Sequence, residues 1–223
     1  MDALLENFFN PEVMREALPY LLQGLLMTGK LSLVVVPLGI AGGLALGCIS
    51  GLGNRWLRLL LVVWVDFFRA LPPLVLLVFV YYGLPFAGVE TSSFAAVALA
   101  FFLNTSAYYG EIFRAGIESV PRGQWEAARS TGISFLGTLT HVVLPQGARN
   151  VLPDLVSNTL EVVKLTSLAS VVALPELLRM ARVVQGIAFN PTPLVLAALV
   201  YLALLWPMVR VLSRMEHRFR AAL

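Results

Sequence analysis

The sequence predicts an all-α, polytopic membrane protein with about five spans, and three observations lead there. Hydrophobic residues fill 58% of the 223 positions, charged residues only 13%, and the mean hydropathy is +0.81. A soluble domain usually has roughly a quarter of its residues charged. The apolar residues also come in blocks of about 20 to 28, the length that carries a helix across a hydrocarbon layer of about 30 Å. Finally, the charges stand at the ends of those blocks rather than in a stripe. The net charge of +3 and the pI near 9.3 therefore read as topology signals and not as a nucleic-acid footprint.

The chain opens with Asp2, Glu6, Glu12 and Glu16 against Arg15 alone, so a cleaved signal with a basic start is not expected. Leu4, Leu5, Phe8 and Phe9, then Asn10-Pro11, then Val13, Met14 and Leu18 predict short amphipathic turns along the membrane surface. Spans are expected over about Tyr20–Ile49, Trp56–Tyr82, Ser92–Ile117, Leu152–Leu174 and Pro193–Leu212. With no long linker and no extended repeat, residues 1–223 read as one transmembrane domain with a single long loop over about 118–150.

In the first span, Gly39, Gly43, Gly47 and Gly51 recur every four residues, which lays bare backbone along one helix face and invites a close neighbour. Pro37, Pro72 and Pro73 fall inside spans, where the carbonyls they free must be satisfied by neighbours or water.

Orientation follows from the basic residues outside the spans. Arg55 and Arg58 flank the first turn, Arg122, Arg129 and Arg149 occupy the long loop, and Arg210, Arg214, Arg218 and Arg220 crowd the last block. The other side has Arg15, Arg179 and Arg182. The N-terminus is expected outside, the C-terminus and the long loop in the cytoplasm.

Several chemistries are excluded. Cys48 is the single cysteine, so neither an internal disulfide nor a cysteine metal site is possible, and His141 and His217 lack any metal-ligand spacing. Gly24 to Lys30 imitates a phosphate-binding loop, but Leu31 replaces the hydroxyl residue and the setting is a span. Asn104-Thr105-Ser106 has the form of a glycosylation acceptor yet lies within a span. With no nucleophile elbow or catalytic carboxylate pair, no catalytic residue, metal or bound cofactor is expected.

The long loop is the informative segment. Pro121 ends the preceding helix, Gln124 to Ser130 is good helical sequence, and Gly132 stops it. Glu126-Ala127-Ala128, then Gly132, then Val142, Leu144 and Pro145 fall at the spacing of a known signature. This resembles the coupling loop of ABC importer permeases, with Val142 in place of Ile. Small Ala127 and Ala128 would let a partner approach, Glu126 would offer a charge, and Gly132 would permit the turn.

Likeness along nearly the whole chain narrows the resemblance to the polar amino acid branch of these permeases, which also takes opines. It rests on Asp66 to Pro72, Tyr81 to Pro85, Ser106 to Glu126 and Lys164 to Ser170. Ala70-Leu71-Pro72 departs from the Gly-Thr-Pro of many relatives, and Lys30 in the first span is unusual.

The resemblance implies a type I ABC importer permease fold of five transmembrane helices in a bacterial inner membrane. It also implies a second permease subunit, identical or not, two cytoplasmic ATPases that bind the ATP, and an external substrate-binding protein. Importers of methionine or quaternary amines are alternatives within the superfamily. An ion-coupled secondary transporter would need no such loop.

Ionisable groups inside spans are functional candidates. Arg69 follows Asp66 by one turn, Glu161 and Lys164 share a face of the fourth span, and Lys30 stands in the first. A zwitterionic amino acid needs a cation for its carboxylate and an acceptor for its ammonium group. Arg69 and Glu161 are the candidates, with Asn158, Thr166 and Ser167 as polar lining. The alternative is that Asp66 with Arg69, and Glu161 with Lys164, only neutralise each other.

Overall fold

The computed structural model describes residues 6–51 and 55–220, with side-chain surroundings given up to residue 215, and these residues hold helices and no strand. The helices are α1 (Pro11–Ser50), α2 (Arg55–Ala70), α3 (Pro73–Phe86), α4 (Ser93–Glu118), α5 (Arg122–Ser130), α6 (Phe135–Thr138), α7 (Leu144–Asn150), α8 (Leu152–Leu165), α9 (Leu177–Ala188) and α10 (Thr192–Arg220). A π-helical turn, Leu139–Val143, joins α6 to α7, and a 3₁₀ segment, Thr166–Val172, prolongs α8.

The surface-lying turns expected near the start lie partly outside the described residues. From Pro11 onward the chain is instead one helix of 40 residues, about 60 Å long and so longer than the hydrocarbon layer. Asn10 starts it: its Oδ1 accepts from the backbone N–H groups of Glu12 and Val13.

The second expected span is broken. Leu71 N–H still donates to the Phe67 carbonyl, Pro72 and Pro73 cannot continue the ladder, and α3 departs at a bend of 98°. Among the described residues three helices are long and apolar enough to cross a membrane, within Glu6–Ser50, Leu152–Val172 and Thr192–Met215, or four with the bent pair α2–α3. α4 matches its expected bounds but is not among them, Asn104, Thr105, Ser106, Glu111 and Arg114 punctuating it.

By contacts the chain forms two compact units that share α1, α3, α4 and α8. The first comprises the chain through Val34, Leu77–Ala98 and everything from Leu160. Its core is Ala17, Leu21, Leu177, Ala181, Val184 and Ala197. Gly24 on α1 permits the approach of α9, since a Cβ there would stand 2.8 Å from Leu177 Cα.

Glu176 caps α9 and is fully buried. Its Oε1 accepts from Arg179 N–H at 2.6 Å, and its Oε2 from Leu178 N–H at 2.9 Å and the Tyr201 hydroxyl at 3.2 Å. Thr28 Oγ1 takes the Leu177 N–H. Glu176 lies between the spans Leu152–Val172 and Thr192–Met215.

The second unit comprises Val35–Leu76 and Leu99–Thr159. The glycine stripe packs here. A Cβ at Gly39 would meet Thr105, at Gly43 it would meet Tyr109 and stand 2.7 Å from Gly110 N, and at Gly47 it would stand 2.7 Å from Phe113 Cβ. Glycines four apart thus receive a ridge of α4 side chains four apart, with both helices running the same way. Gly51 lies beyond this ridge, against Leu139.

Gly43→Ala should destabilise the protein by about 1–3 kcal/mol because backbone stands where the methyl would go. Its melting temperature in detergent should fall, while Gly83→Ala, with open space around it, should leave the temperature unchanged or raise it.

Candidate functional site

The loop of residues 118–150 is a packed body. Ile117 and Val120 at the end of α4 and Leu139 and Val143 in the π turn form its buried core, with Cys48, Trp125 and Leu144 against it. The short helix expected after Pro121 is present as α5, and Gly132 follows it at φ +86°, a conformation that favours glycine. Ala128 faces inward, while Glu126 and Ala127 are exposed.

The helix end is tied off locally. Ser130 Oγ donates to the Ala127 carbonyl, Thr131 Oγ1 to the Ala128 carbonyl, and Arg129 Nη1 to the Ile133 carbonyl at 2.8 Å. Trp125 stacks on Phe135, with ring centroids 5.3 Å apart. Ser134 caps α6 by accepting the Gly137 N–H. Pro145, which cannot donate to a carbonyl one turn back, opens α7 just after the π turn. Leu144 packs inward, and Pro145 is exposed.

This body grips the end of α4 at two points. Gly116 and Gly147 meet backbone to backbone, so that a Cβ on Gly147 would stand 2.6 Å from the Gly116 carbonyl oxygen. Asn150 Nδ2 donates to Ser119 Oγ at 2.8 Å.

The charges inside the spans fall into two groups. In the second unit Arg69 does not pair with Asp66. Its Nη1 lies 3.9 Å from Glu111 Oε1, and its guanidinium lies over the Tyr108 ring, 5.5 Å from the centroid. Arg114 takes Glu111 with two bonds, at 2.6 and 2.8 Å, and Glu118 with a third at 2.6 Å, and Glu118 reaches Arg58 at 3.0 Å. Asp66 lines a cavity of about 160 Å³ together with Ser50, Glu111 and Arg114.

In the first unit Lys164 Nζ donates to Glu161 Oε1 at 2.6 Å, the alternative foreseen for that pair, and both side chains remain about half exposed on a span. Thr166 is buried and donates to the Val163 carbonyl, and Ser167 donates to the Lys164 carbonyl. Asn158 belongs to the second unit with Arg69, and its Nδ2 is buried without a hydrogen-bond partner. Lys30 is exposed on α1.

Two sets of residues escaped attention in the sequence. Glu111, Arg114 and Glu118 stood at i, i+3 and i+7 in a span, a spacing that announces an intrahelical ion-pair row. Glu176 stood at a cap position before the amphipathic run Leu177 to Ala188.

An all-helical fold with apolar spans, one of them broken, and a packed loop hung on the end of α4 defines a membrane transport subunit. The chain belongs to the family described as binding-protein-dependent transport system inner membrane component, which matches residues 43–221. It is 37% identical over 200 residues to the probable amino-acid ABC transporter permease YckA of Bacillus subtilis, covering 89% of this chain and 88% of that one. It is 36% identical to the probable glutamine ABC transporter permease GlnP of the same organism, covering 92% and 95%.

Among solved structures, a crystal structure of an amino acid ABC transporter with histidines superposes at TM-score 0.82, with 32% identity over 92% of this chain and 96% of the other. The methionine transporter MetNI superposes at 0.76 with 17% identity, over 90% and 96%. The fold is that of a type I ABC importer permease.

Proposed function

We propose that this chain is the permease subunit of an ATP-driven importer of polar amino acids, and that it forms the translocation path while separate ATPase subunits supply the energy. The observation that carries the reading is the 118–150 body: α5 offers Glu126 and Ala127 to solvent and is itself fixed to the end of a span. A helix so presented can be pushed as a unit. Its amino acid cargo is supported by the naming of YckA, GlnP and the transporter with histidines.

In this reading the N-terminus is outside and the C-terminus and the 118–150 body are cytoplasmic, an orientation supported by the distribution of the arginines. Two ATPases close on ATP and displace α5 through Glu126, Ala127, Ala128 and Gly132, with Leu144 and Pro145 holding the following segment. A second permease subunit and an external binding protein complete the assembly. Arg69 serves the substrate carboxylate and Glu161 its ammonium or cationic group, with Asn158, Thr166 and Ser167 as polar lining. An exposed ion pair such as Glu161 with Lys164 is tolerable in a span only beside water or protein.

Copurification with the associated ATPase, then reconstitution in vesicles with the binding protein and a panel of labelled amino acids, tests the reading. ATP-dependent uptake of at least one polar amino acid is expected; ATP-independent uptake, or none across the panel, overturns it. Gly132→Val forces a β-branched residue to positive φ, so uptake per ATP hydrolysed should fall about tenfold or more, a loss of about 1.4 kcal/mol of coupling. Glu161→Gln should alter KM or the order of preference among substrates without loss of assembly. Unchanged kinetics would remove Glu161 from the site.

A further inference from the structure

The Pro72-Pro73 break has a specific answer on α4. A proline at 72 cannot donate to the carbonyl of Phe68, nor one at 73 to that of Arg69. The Phe68 carbonyl is taken by Asn104 Nδ2 at 3.0 Å, and the Arg69 carbonyl is approached by the Tyr108 hydroxyl at 3.4 Å. Asn104 is buried.

Residues 104, 108, 111 and 118 recur at helical spacing and so share one face of α4. Lower on that face the ion pairs take over: Arg69 lies against Glu111 and Arg58 against Glu118, with Arg114 joining the two carboxylates. Partners climb α2 as they descend α4, so the two helices are antiparallel and held from Arg58 to Arg69. Asp66 lines the shared cavity, and Arg55 lines the adjoining one with Arg58, Arg114 and Glu118. Arg114 is the member bonded to both carboxylates, so its removal leaves Glu111 and Glu118 without their shared partner.

We propose that Arg114 is a positioning residue for energy coupling, locking α2 to α4 so that a displacement of α5 is delivered undiminished to the break at Leu71-Pro72. The proposal rests on the transport reading above. Its structural basis is the continuity of the route. α5 packs with Ile117 of α4 and with Val120 just beyond its end, Gly116 is fixed on Gly147, and the Arg114 row binds that end of α4 to α2. The polar clamp at Asn104 and Tyr108 holds the other end of α2, where the break begins.

The test compares wild type with Arg114→Gln in the assembled transporter in vesicles. ATP hydrolysis by the complex is expected to stay within about twofold of wild type while uptake per ATP falls about tenfold. In a Cys48→Ser background, spin labels at Val63 on α2 and Ala115 on α4 should give one distance with and without ATP in wild type. In Arg114→Gln that distance should become nucleotide-dependent.

Arg114→Lys, which keeps the charge but not the two-pronged bond, should recover only part of the coupling. Should Arg114→Gln fail to assemble, Glu118→Gln cuts the same row at its exposed end and is read the same way. Coupling within twofold of wild type together with a nucleotide-independent distance in the variant overturns the proposal. Failure of the transport reading shows instead in the wild-type arm, as no uptake, and the spin-label distances still decide the role of Arg114.

Discussion

A backbone inside hydrocarbon must satisfy its own hydrogen bonds, and every unpaired carbonyl there costs several kcal/mol. The second unit is organised around the place where two adjacent prolines break that rule. Pro72 and Pro73 interrupt a span, and two carbonyls lose their helical donors. Asn104 and Tyr108 replace them from α4. Because those donors must stand one turn apart on one face, α4 is fixed in rotation and in height against α2. Its remaining faces are then assigned as well. Thr105, Tyr109 and Phe113 turn to the glycine stripe of α1, and Glu111 and Glu118 turn to the arginines of α2.

The same helix carries the rest of the unit. Near its end α4 carries the small residue Gly116, which permits backbone contact with Gly147, and Ile117, which with Val120 just beyond the helix belongs to the core of the loop body. The loop is thus an extension of a span. That distinguishes α5 from an ordinary surface helix: its inner face, Trp125 and Ala128, is committed to packing, and its outer face, with the side chains of Glu126 and Ala127, is exposed. A helix with one committed face and one open face, rigidly continuous with a membrane helix, can receive force from outside the bilayer.

Much of this was legible in the sequence where a single period or a single residue type decides the outcome. Block length located the spans, Pro121 and Gly132 bounded α5, and the four-residue glycine repeat announced close packing without naming the partner. What was illegible needed knowledge of two segments at once. Pro72-Pro73 was readable as freed carbonyls, but Asn104 and Tyr108 could not be matched to them because the match depends on how α4 is rotated. Arg69 was assigned to Asp66 as the alternative to a substrate role because local spacing favours that pair. Packing turned it to Glu111 and the Tyr108 ring instead. Of the expected surface turns near the start, the part from Pro11 onward, with Val13, Met14 and Leu18, became part of α1, where Asn10 supplies a helix start ten residues before the apolar block begins.

The ionisable residues within the spans divide by how their charge is answered. Around α4, arginines and carboxylates bond one another in a chain, and the bidentate contact of Arg114 with Glu111 fixes direction as well as charge. Arg114, with three such bonds, resists rearrangement, whereas Arg69, 3.9 Å from Glu111 Oε1, is the loosely held end of the row. Glu161 and Lys164 have one bond between them and remain about half exposed. In the transport reading proposed above, Glu161 can exchange Lys164 for an ammonium group while Arg69 exchanges Glu111 for a carboxylate, with little change in net charge. Rigidity thus belongs to Arg114 and its two carboxylates, and exchangeability to Arg69 and to the α8 pair.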